Sequence, residues 1–145
     1  TLILGPMFAG KTTYLLKEIK KHEKNQKDKD DILVINHSID NRYENDKIAS
    51  HDRESYPCLK KRNLKEISSQ ELEGKKILVI DEVSMMSSKM FDVLNNTGKI
   101  IRNNDKPFGG IQIVLTGDFY QLPPIESAGD IESGKFCFLE GTYCF

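Results

Sequence analysis

The chain has 145 residues, enough for one domain with a hydrophobic core, and its 38% apolar and 30% charged residues are typical of a globular protein. Its formal net charge of −1 excludes a global positive field that would draw the whole chain to nucleic acid or to a membrane surface. No apolar run reaches the roughly 18 residues of a membrane-spanning helix, and no signal-peptide pattern is present, so we expect no membrane partner.

The cysteines indicate the cellular setting. Cys58, Cys137 and Cys144 form no C-x-x-C pair, which argues against a disulfide framework and against a zinc site. They fit a reducing, intracellular environment, cytoplasmic or nuclear. The chain opens in an apolar run without an initiator Met, so we interpret residues 1–145 as a single domain that is compatible with a fragment of a longer protein.

A glycine-bounded loop follows the first apolar run. Residues 1–4 favour a short strand, residues 5–12 read G-x-x-x-x-G-K-[ST], and a helix-compatible stretch comes next, which is the order that a P-loop requires. The glycines permit backbone angles that a side chain would block, and the N–H groups of the loop would surround phosphate oxygens. Lys11 would neutralise the β- and γ-phosphates of ATP, and Thr12 would offer its hydroxyl to Mg²⁺. The predicted nucleotide-binding residues are Gly5, Pro6, Met7, Phe8, Ala9, Gly10, Lys11, Thr12 and Thr13.

Apolar periodicity predicts the remaining elements in chain order. They are a helix over 12–24, a buried strand over 32–35, a polar irregular segment over 36–56, a short strand near 58–59, a short helix near 69–72, a buried strand over 77–80, a helix over 84–104, a turn at 107–110, a strand over 111–115 and a strand over 136–139. Strands that alternate with helices predict an α/β fold, here a P-loop NTPase three-layer sandwich with a mainly parallel, RecA-like sheet.

An acidic pair ends the apolar strand over 77–80. Asp81 would lie at the carboxyl end of that strand, facing the P-loop, and would hold Mg²⁺ directly or through water. Glu82 is a candidate general base that takes a proton from the group attacking the γ-phosphate, either water or a substrate alcohol. The alternative is an acidic pair that caps the strand and binds no metal.

Gln121 follows a later strand. Its amide can accept a hydrogen bond from an attacking water and donate one to the γ-phosphate, which makes it a candidate catalytic residue. The alternative is a surface glutamine ahead of a Pro-Pro turn.

The lysine-rich segment at 60–62 reads Lys-Lys-Arg. We interpret it as a solvated loop, with a contact to a phosphate backbone as the alternative.

The first part of the chain resembles the cellular and poxvirus-like class of thymidine kinases. The similarity covers residues 1–82 and rests on LILGPMFAGKTTYLL at 2–16, DNRY at 40–43 and SHD at 50–52. It implies that Lys11 and Thr12 bind ATP and magnesium and that Glu82 deprotonates the 5′-hydroxyl of thymidine. It also implies that Asp40 and Arg42 lie in the active-site region, and it leaves a virus-encoded protein open.

The second part resembles another family, the Pif-type DNA helicases of superfamily one. This similarity covers residues 77–138 and rests on ILVIDEVSMM at 77–86, KPFGGIQIVLTGDFYQLPP at 106–124 and, more loosely, KFCF at 135–138. It implies Asp81 as the Mg²⁺ ligand, Glu82 as the hydrolytic base, Gln121 as the sensor of the γ-phosphate, and DNA as a partner.

The chain departs from both patterns. A thymidine kinase of this class would carry a Gly-Gln-Phe-Phe-like run after the acidic pair, cysteine pairs for zinc and a loop that closes over thymidine. A Pif-type helicase would carry a DNA-contacting motif before the acidic strand and a second motor domain. We therefore predict a chimera-like chain joined between residues 60 and 80, acting as the ATPase module of a helicase. The alternatives are a thymidine kinase and a nucleotide-binding relic without activity.

Overall fold

The structure of the chain is a computed structural model, which describes residues 1–25, 31–37, 46–50, 52, 54–61 and 67–121. Within these ranges the strands are β1 (Leu2–Leu4), β2 (Ile32–His37), β3 (Lys47–Ala49), β4 (Ser55–Pro57), β5 (Leu59–Lys61), β6 (Ile77–Ile80) and β7 (Gln112–Gly117). The α-helices are α1 (Lys11–Asn25), α2 (Ser69–Leu72) and α3 (Ser88–Arg102). Short 3₁₀ turns lie at Val83–Met85 and Pro107–Gly110.

The apolar runs form one central sheet. Its strand order is β1-β7-β6-β2-β5, and every pair of neighbours is parallel. The registers Ile35↔Ile80 and Ile80↔Leu115 align the carboxyl ends of the three central strands at one edge. Loops at that edge of a parallel α/β sheet are the usual place for a ligand.

Helices cover both faces of the sheet because alternate strand residues point to opposite sides. On one face α1 and β3 pack against the central strands. The buried residues there are Leu15, Leu16, Ile19, Val34, Ile48, Cys58, Ile77 and Val79. On the other face α2, α3 and the turn at 107–110 cover a second cluster, formed by Leu33, Ile35, Ile67, Leu72, Leu78, Ile80, Val83, Met86, Phe91, Leu94, Phe108, Ile111 and Leu115. The predicted three-layer α/β sandwich is confirmed.

The prediction of an irregular segment over 36–56 is wrong for its last residues, which form two strands. Strands β3 and β4 pair there as an antiparallel hairpin, with Ile48 opposite Tyr56. The hairpin is tied to α1 because Tyr56 Oη donates to Glu23 Oε1 at 3.1 Å and Lys20 Nζ lies 3.0 Å from Glu54 Oε1. With one buried apolar residue, Ile48, these strands show no alternation of apolar and polar residues from which a hairpin could have been predicted.

The predicted helix over 84–104 is shorter in the structure. It begins at Ser88 because the Ser87 hydroxyl accepts a hydrogen bond from the N–H of Met90 at 3.3 Å and caps the helix. It ends where Asn103 adopts a left-handed conformation with φ 46°. The residues before Ser87 form the separate 3₁₀ turn.

The lysine pair at 60–61 lies in a strand and not in the predicted loop. Both residues belong to β5, and Lys61 Nζ lies 3.2 Å from Glu71 Oε1 of α2. Glu71 in turn completes a capping box with Ser68 at the start of α2. Lys61 therefore supports the fold at this point, whereas Arg62 lies outside the described residues.

None of the helices in the described ranges is both long and apolar enough to cross a membrane. The strand predicted over 136–139 lies outside the described residues, as do Cys137 and Cys144.

Candidate active site

The P-loop connects the end of β1 to the start of α1. Gly10 has φ 77° and Phe8 has φ 65°, so the loop turns through two left-handed positions before the helix begins. At Gly5 a Cβ atom would lie 3.1 Å from the Cβ of Ala9, so a side chain would crowd the loop. Without that side chain the loop folds tightly over the amino end of α1, where backbone N–H groups favour an anion.

Lys11 is held by the same loop. Its ammonium donates to the carbonyl oxygen of Gly5 at 2.7 Å and to that of Pro6 at 3.0 Å. These bonds fold the side chain back over the loop, so its positive charge stays at the place where phosphate groups of a nucleotide would lie.

The acidic pair lies directly after β6, as expected. Asp81 is 8% exposed, and its Oδ1 accepts a short hydrogen bond from the hydroxyl of Thr116 and a second one from the N–H of Glu82 at 3.0 Å. Glu82 has φ 55° and ψ 45°, a left-handed conformation that is uncommon for a residue other than glycine. Such a conformation costs about 1–3 kcal/mol and occurs preferentially at functional sites.

Gln121 is fixed by Asp118. Its side-chain Nε2 donates to Asp118 Oδ2 at 2.8 Å, and the N–H of Tyr120 donates to Oδ1 of the same carboxylate at 3.0 Å. These two bonds, with a smaller contribution from the positive charge of Lys11, hold the pKa of Asp118 below its ordinary value of 3.8, while burial opposes them. The carboxylate therefore stays ionised and keeps the amide of Gln121 in place.

One pocket brings most of the predicted residues together. Its wall is formed by Met7, Phe8, Ala9, Gly10, Lys11, Thr12, Thr13, Asn36, Ile48, Ala49, Ser50, Asp81, Glu82 and Gln121. Of the predicted nucleotide-binding residues, Gly5 and Pro6 are not in this wall, although their carbonyl groups hold Lys11. Asp40 and Arg42 lie outside the described residues.

Several residues of the pocket were not predicted from the sequence. Asn36, one residue before the end of β2, lies level with Asp81, and Ile48, Ala49 and Ser50 come from the hairpin. The Ser50 hydroxyl is buried and has no hydrogen-bond partner within the described part of the chain. Position at the carboxyl end of a parallel strand would have been a sufficient signal for Asn36. Ser50 belongs to the SHD segment at 50–52 that carries the thymidine kinase resemblance, whereas Ile48 and Ala49 carry no comparable pattern.

The oxygen donors at the pocket are of the kind that magnesium prefers. The structure places the hydroxyl-bearing Thr12 and the carboxylate-bearing Asp81 around the same pocket. Within the described ranges no group of three or more His, Cys, Asp or Glu residues is arranged to hold a metal by itself. Magnesium commonly takes one or two protein oxygens and completes its shell with phosphate oxygens and water, so this donor set fits that ion.

A family model for thymidine kinases matches residues 1–119. This match covers most of the chain and extends beyond residue 82, where the resemblance in the sequence ends.

Several proteins that are similar to part of this chain are helicases. The ATP-dependent DNA helicase Pif1 of Psychrobacter sp. is 45% identical over 79 residues, which make up 54% of this chain and 12% of that protein. The ATP-dependent DNA helicase PIF1 of Emericella nidulans is 52% identical over 68 residues, 47% of this chain and 9% of that protein. The chain thus spans about a tenth of the length of these relatives. The resemblance to two families is confirmed.

The fold is also found in solved helicases. The crystal structure of Bacteroides sp. Pif1 in complex with ADP-AlF4 superimposes with a TM-score of 0.59 and 25% identity, over 87% of this chain and 30% of that chain. The predicted RecA-like P-loop architecture is therefore confirmed by an independent protein.

Proposed function

We propose that this chain, which belongs to the thymidine kinase family, is an ATP-hydrolysing P-loop module of the kind found in Pif1 DNA helicases. The observation that carries the proposal is the composition of the pocket. Lys11, Thr12, Asp81, Glu82 and Gln121 all line it, and together they supply each protein group that hydrolysis of a nucleoside triphosphate needs within one domain.

Binding of ATP would begin at the P-loop. The backbone N–H groups between Gly5 and Thr12 would surround the phosphates, and Lys11 would exchange its carbonyl partners for β- and γ-phosphate oxygens. Thr12 and Asp81 would hold Mg²⁺, which would neutralise charge on the phosphates when bound.

Hydrolysis would then use Glu82 and Gln121. Gln121 would orient a water molecule, and Glu82 would take its proton as the water oxygen forms a bond to the γ-phosphorus. The bond between the γ-phosphorus and the β,γ-bridging oxygen breaks, which leaves ADP and inorganic phosphate. The hydrogen bond from Gln121 to Asp118 would keep the amide at a fixed distance from the P-loop.

The partners and the setting are further parts of the proposal. The relatives are named DNA helicases, and their matched segments make up only 12% and 9% of their own length. We infer that DNA is the partner, that a second motor domain would have to come from outside the 145 residues, and that the module acts on DNA inside a cell.

The second candidate function is phosphorylation of thymidine. The family model and the Pro-Met-Phe sequence of the P-loop favour it, as does the apolar wall of Ile48 and Ala49, which faces the same pocket as Glu82. In that reaction Glu82 would take the proton of the 5′-hydroxyl of thymidine, and the γ-phosphate would move to the sugar oxygen instead of water.

The discriminating experiment follows the labelled γ-phosphate of ATP in Mg²⁺, with no addition, with thymidine, or with single-stranded DNA. Label released as free phosphate, and more of it with DNA, is the expected result. Label on thymidine would overturn the helicase-type proposal in favour of the kinase. Nucleotide binding without turnover in any reaction would leave a nucleotide-binding relic.

Two variants test the assigned residues in the same assay. Lys11→Ala should abolish turnover, with Lys17→Ala, an exposed lysine of α1, as its control. Gln121→Ala should slow ATP hydrolysis by about a hundredfold, the usual effect of removing one positioned donor, with the exposed Gln112→Ala as its control. Turnover that survives Lys11→Ala would refute the P-loop assignment.

A further inference from the structure

A row of buried polar residues crosses the sheet at its carboxyl edge. Because Ile35 pairs with Ile80 and Ile80 with Leu115, the next residues of the three strands, Asn36, Asp81 and Thr116, lie at one level. All three are buried, and Thr116 is fully so. Buried polar groups need hydrogen-bond partners, so the presence of three at this level calls for a specific explanation.

Thr116 contacts the acidic residue of that row. Its hydroxyl donates a short hydrogen bond to Oδ1 of Asp81, the oxygen that also accepts the N–H of Glu82 at 3.0 Å. The Thr116 hydroxyl has no access to water, so it has no solvent partner to exchange with. Two donors on one carboxylate oxygen fix the rotation of the group.

The donor itself cannot move easily. Thr116 is paired on one side with Ile3 of β1, and β7 is paired on its other side with β6. The next residue, Gly117, packs so closely that a Cβ there would lie 3.0 Å from Cγ1 of Val83 and 3.2 Å from its backbone nitrogen. The end of β7 is therefore packed against Val83 and Ser84, the residues that directly follow the acidic pair.

We propose that Thr116 is a positioning residue for the magnesium site: its hydroxyl sets the orientation of the Asp81 carboxylate towards the ion that accompanies the nucleotide. This inference rests on the proposed function, because it gives Asp81 the role of magnesium ligand. Thr116 does not itself contact the ion or the nucleotide. Groups that orient a metal ligand in this way typically change metal affinity or activity by about 10–100-fold when they are removed.

The test compares Thr116→Val, which keeps the shape and removes the hydroxyl, with Thr116→Ser, which keeps the hydroxyl. Two quantities are measured: the Mg²⁺ concentration for half-maximal ATP hydrolysis, and the affinity for a fluorescent ADP analogue in Mg²⁺ and in EDTA. We expect Thr116→Val to raise the half-maximal Mg²⁺ concentration about 10–100-fold and to leave affinity in EDTA unchanged. Thr116→Ser should behave like the unmodified chain.

Controls separate this role from a loss of folding. Thr97→Val makes the same change on α3, away from the pocket, and should alter neither quantity. If urea titrations show no cooperative unfolding of Thr116→Val, Thr116→Ala replaces it. The inference is overturned if the variant without the hydroxyl needs the same Mg²⁺ concentration for half-maximal hydrolysis as the unmodified chain. It is also overturned if the variant loses as much affinity for the ADP analogue in EDTA as in Mg²⁺, because that result would indicate a structural role only. In either case hydrolysis by the unmodified chain would leave the proposed function standing. If the unmodified chain binds no nucleotide under either condition, the proposed function fails and this inference with it.

Discussion

Asp118 joins the candidate site to the stability of the chain through its charge. The carboxylate accepts hydrogen bonds from Gln121 and Tyr120 and lies within the electrostatic reach of Lys11, and these contacts lower its pKa. An acid whose pKa is lower in the folded than in the unfolded chain stabilises the fold above its ordinary pKa. That stabilisation is lost as the pH falls through the lowered value.

We therefore expect Asp118→Asn to remove an acid-sensitive part of the stability. The variant should unfold more easily than the unmodified chain at neutral pH, and the difference should shrink as the pH falls below the ordinary value of 3.8. Urea titrations at several pH values measure this difference. Glu71, whose pKa is lowered chiefly by the backbone N–H of Ser68, titrates in the same direction in both proteins and cancels in the comparison. A difference that is constant with pH would contradict the prediction.

Motif residues of the site could be predicted from the sequence, whereas their supports could not. Lys11 and Asp81 stand at fixed places relative to a strand end, which a pattern can reveal. The bond of Thr116 depends on how closely β7 approaches the residues that follow β6, and the bonds of Asp118 to Tyr120 and Gln121 depend on how the chain turns after β7. Since Thr116 and Asp81 are 35 positions apart in the chain, only the folded sheet brings them together.

At the scale of elements, α3 is joined tightly to the turn at 107–110. Gly98 faces that turn, and a Cβ at this position would lie 2.8 Å from the carbonyl oxygen of Phe108. Asn95 Oδ1 accepts the N–H of Phe108 at 2.8 Å, and the rings of Phe91 and Phe108 meet edge to face with centroids 5.1 Å apart. The glycine inside a helix is thus required by contact, although glycine weakens a helix in general.

Gly98→Ala should therefore destabilise the fold in spite of the higher helix propensity of alanine. Because the obstacle is backbone and cannot rotate away, we expect a loss of about 1–3 kcal/mol in the free energy of unfolding, the usual effect of overpacking. Urea unfolding measures it. Asn96→Ala, an exposed change on the same helix, serves as the control and should be neutral or slightly stabilising. Equal stability of both variants would contradict the close contact.

The predictions of strands were right where both faces of the strand are buried and wrong where few of its side chains are buried. The strands over 77–80 and 32–35 are continuous apolar runs because both of their faces are covered. The hairpin of β3 and β4 was missed because, of the residues in these two strands, Ile48 alone is buried in the core of that face, with Tyr56 packed against it. The start of α3 was predicted too early because the apolar residues before Ser87 pack in a 3₁₀ turn, which periodicity does not distinguish from a helix.

At the scale of the whole molecule, the two family resemblances share one sheet. Strands β1, β2 and β5 come from the part that resembles thymidine kinases, and β7 comes from the part that resembles helicases. The order β1-β7-β6-β2-β5 therefore places β7 and β6 between strands of the first part. Neither part holds the sheet together alone, which favours one continuous domain over two joined units. The division between residues 60 and 80 stays a prediction.

The pairing of β1 has a consequence for the order of events during folding. Within the described sheet β1 has β7 as its one neighbour, and Leu115 donates its N–H to the carbonyl of Thr1 at 2.9 Å. Thr1 and Ile113 are 112 positions apart. Since a contact between such distant residues closes a long loop, it tends to form slowly and late. The strand that carries the P-loop would therefore dock only after almost all of the described chain has been synthesised.

We expect refolding chains to gain the ability to bind a fluorescent nucleotide in the slowest kinetic phase, after circular dichroism shows that helix formation is complete. Simultaneous recovery of both signals would contradict this order.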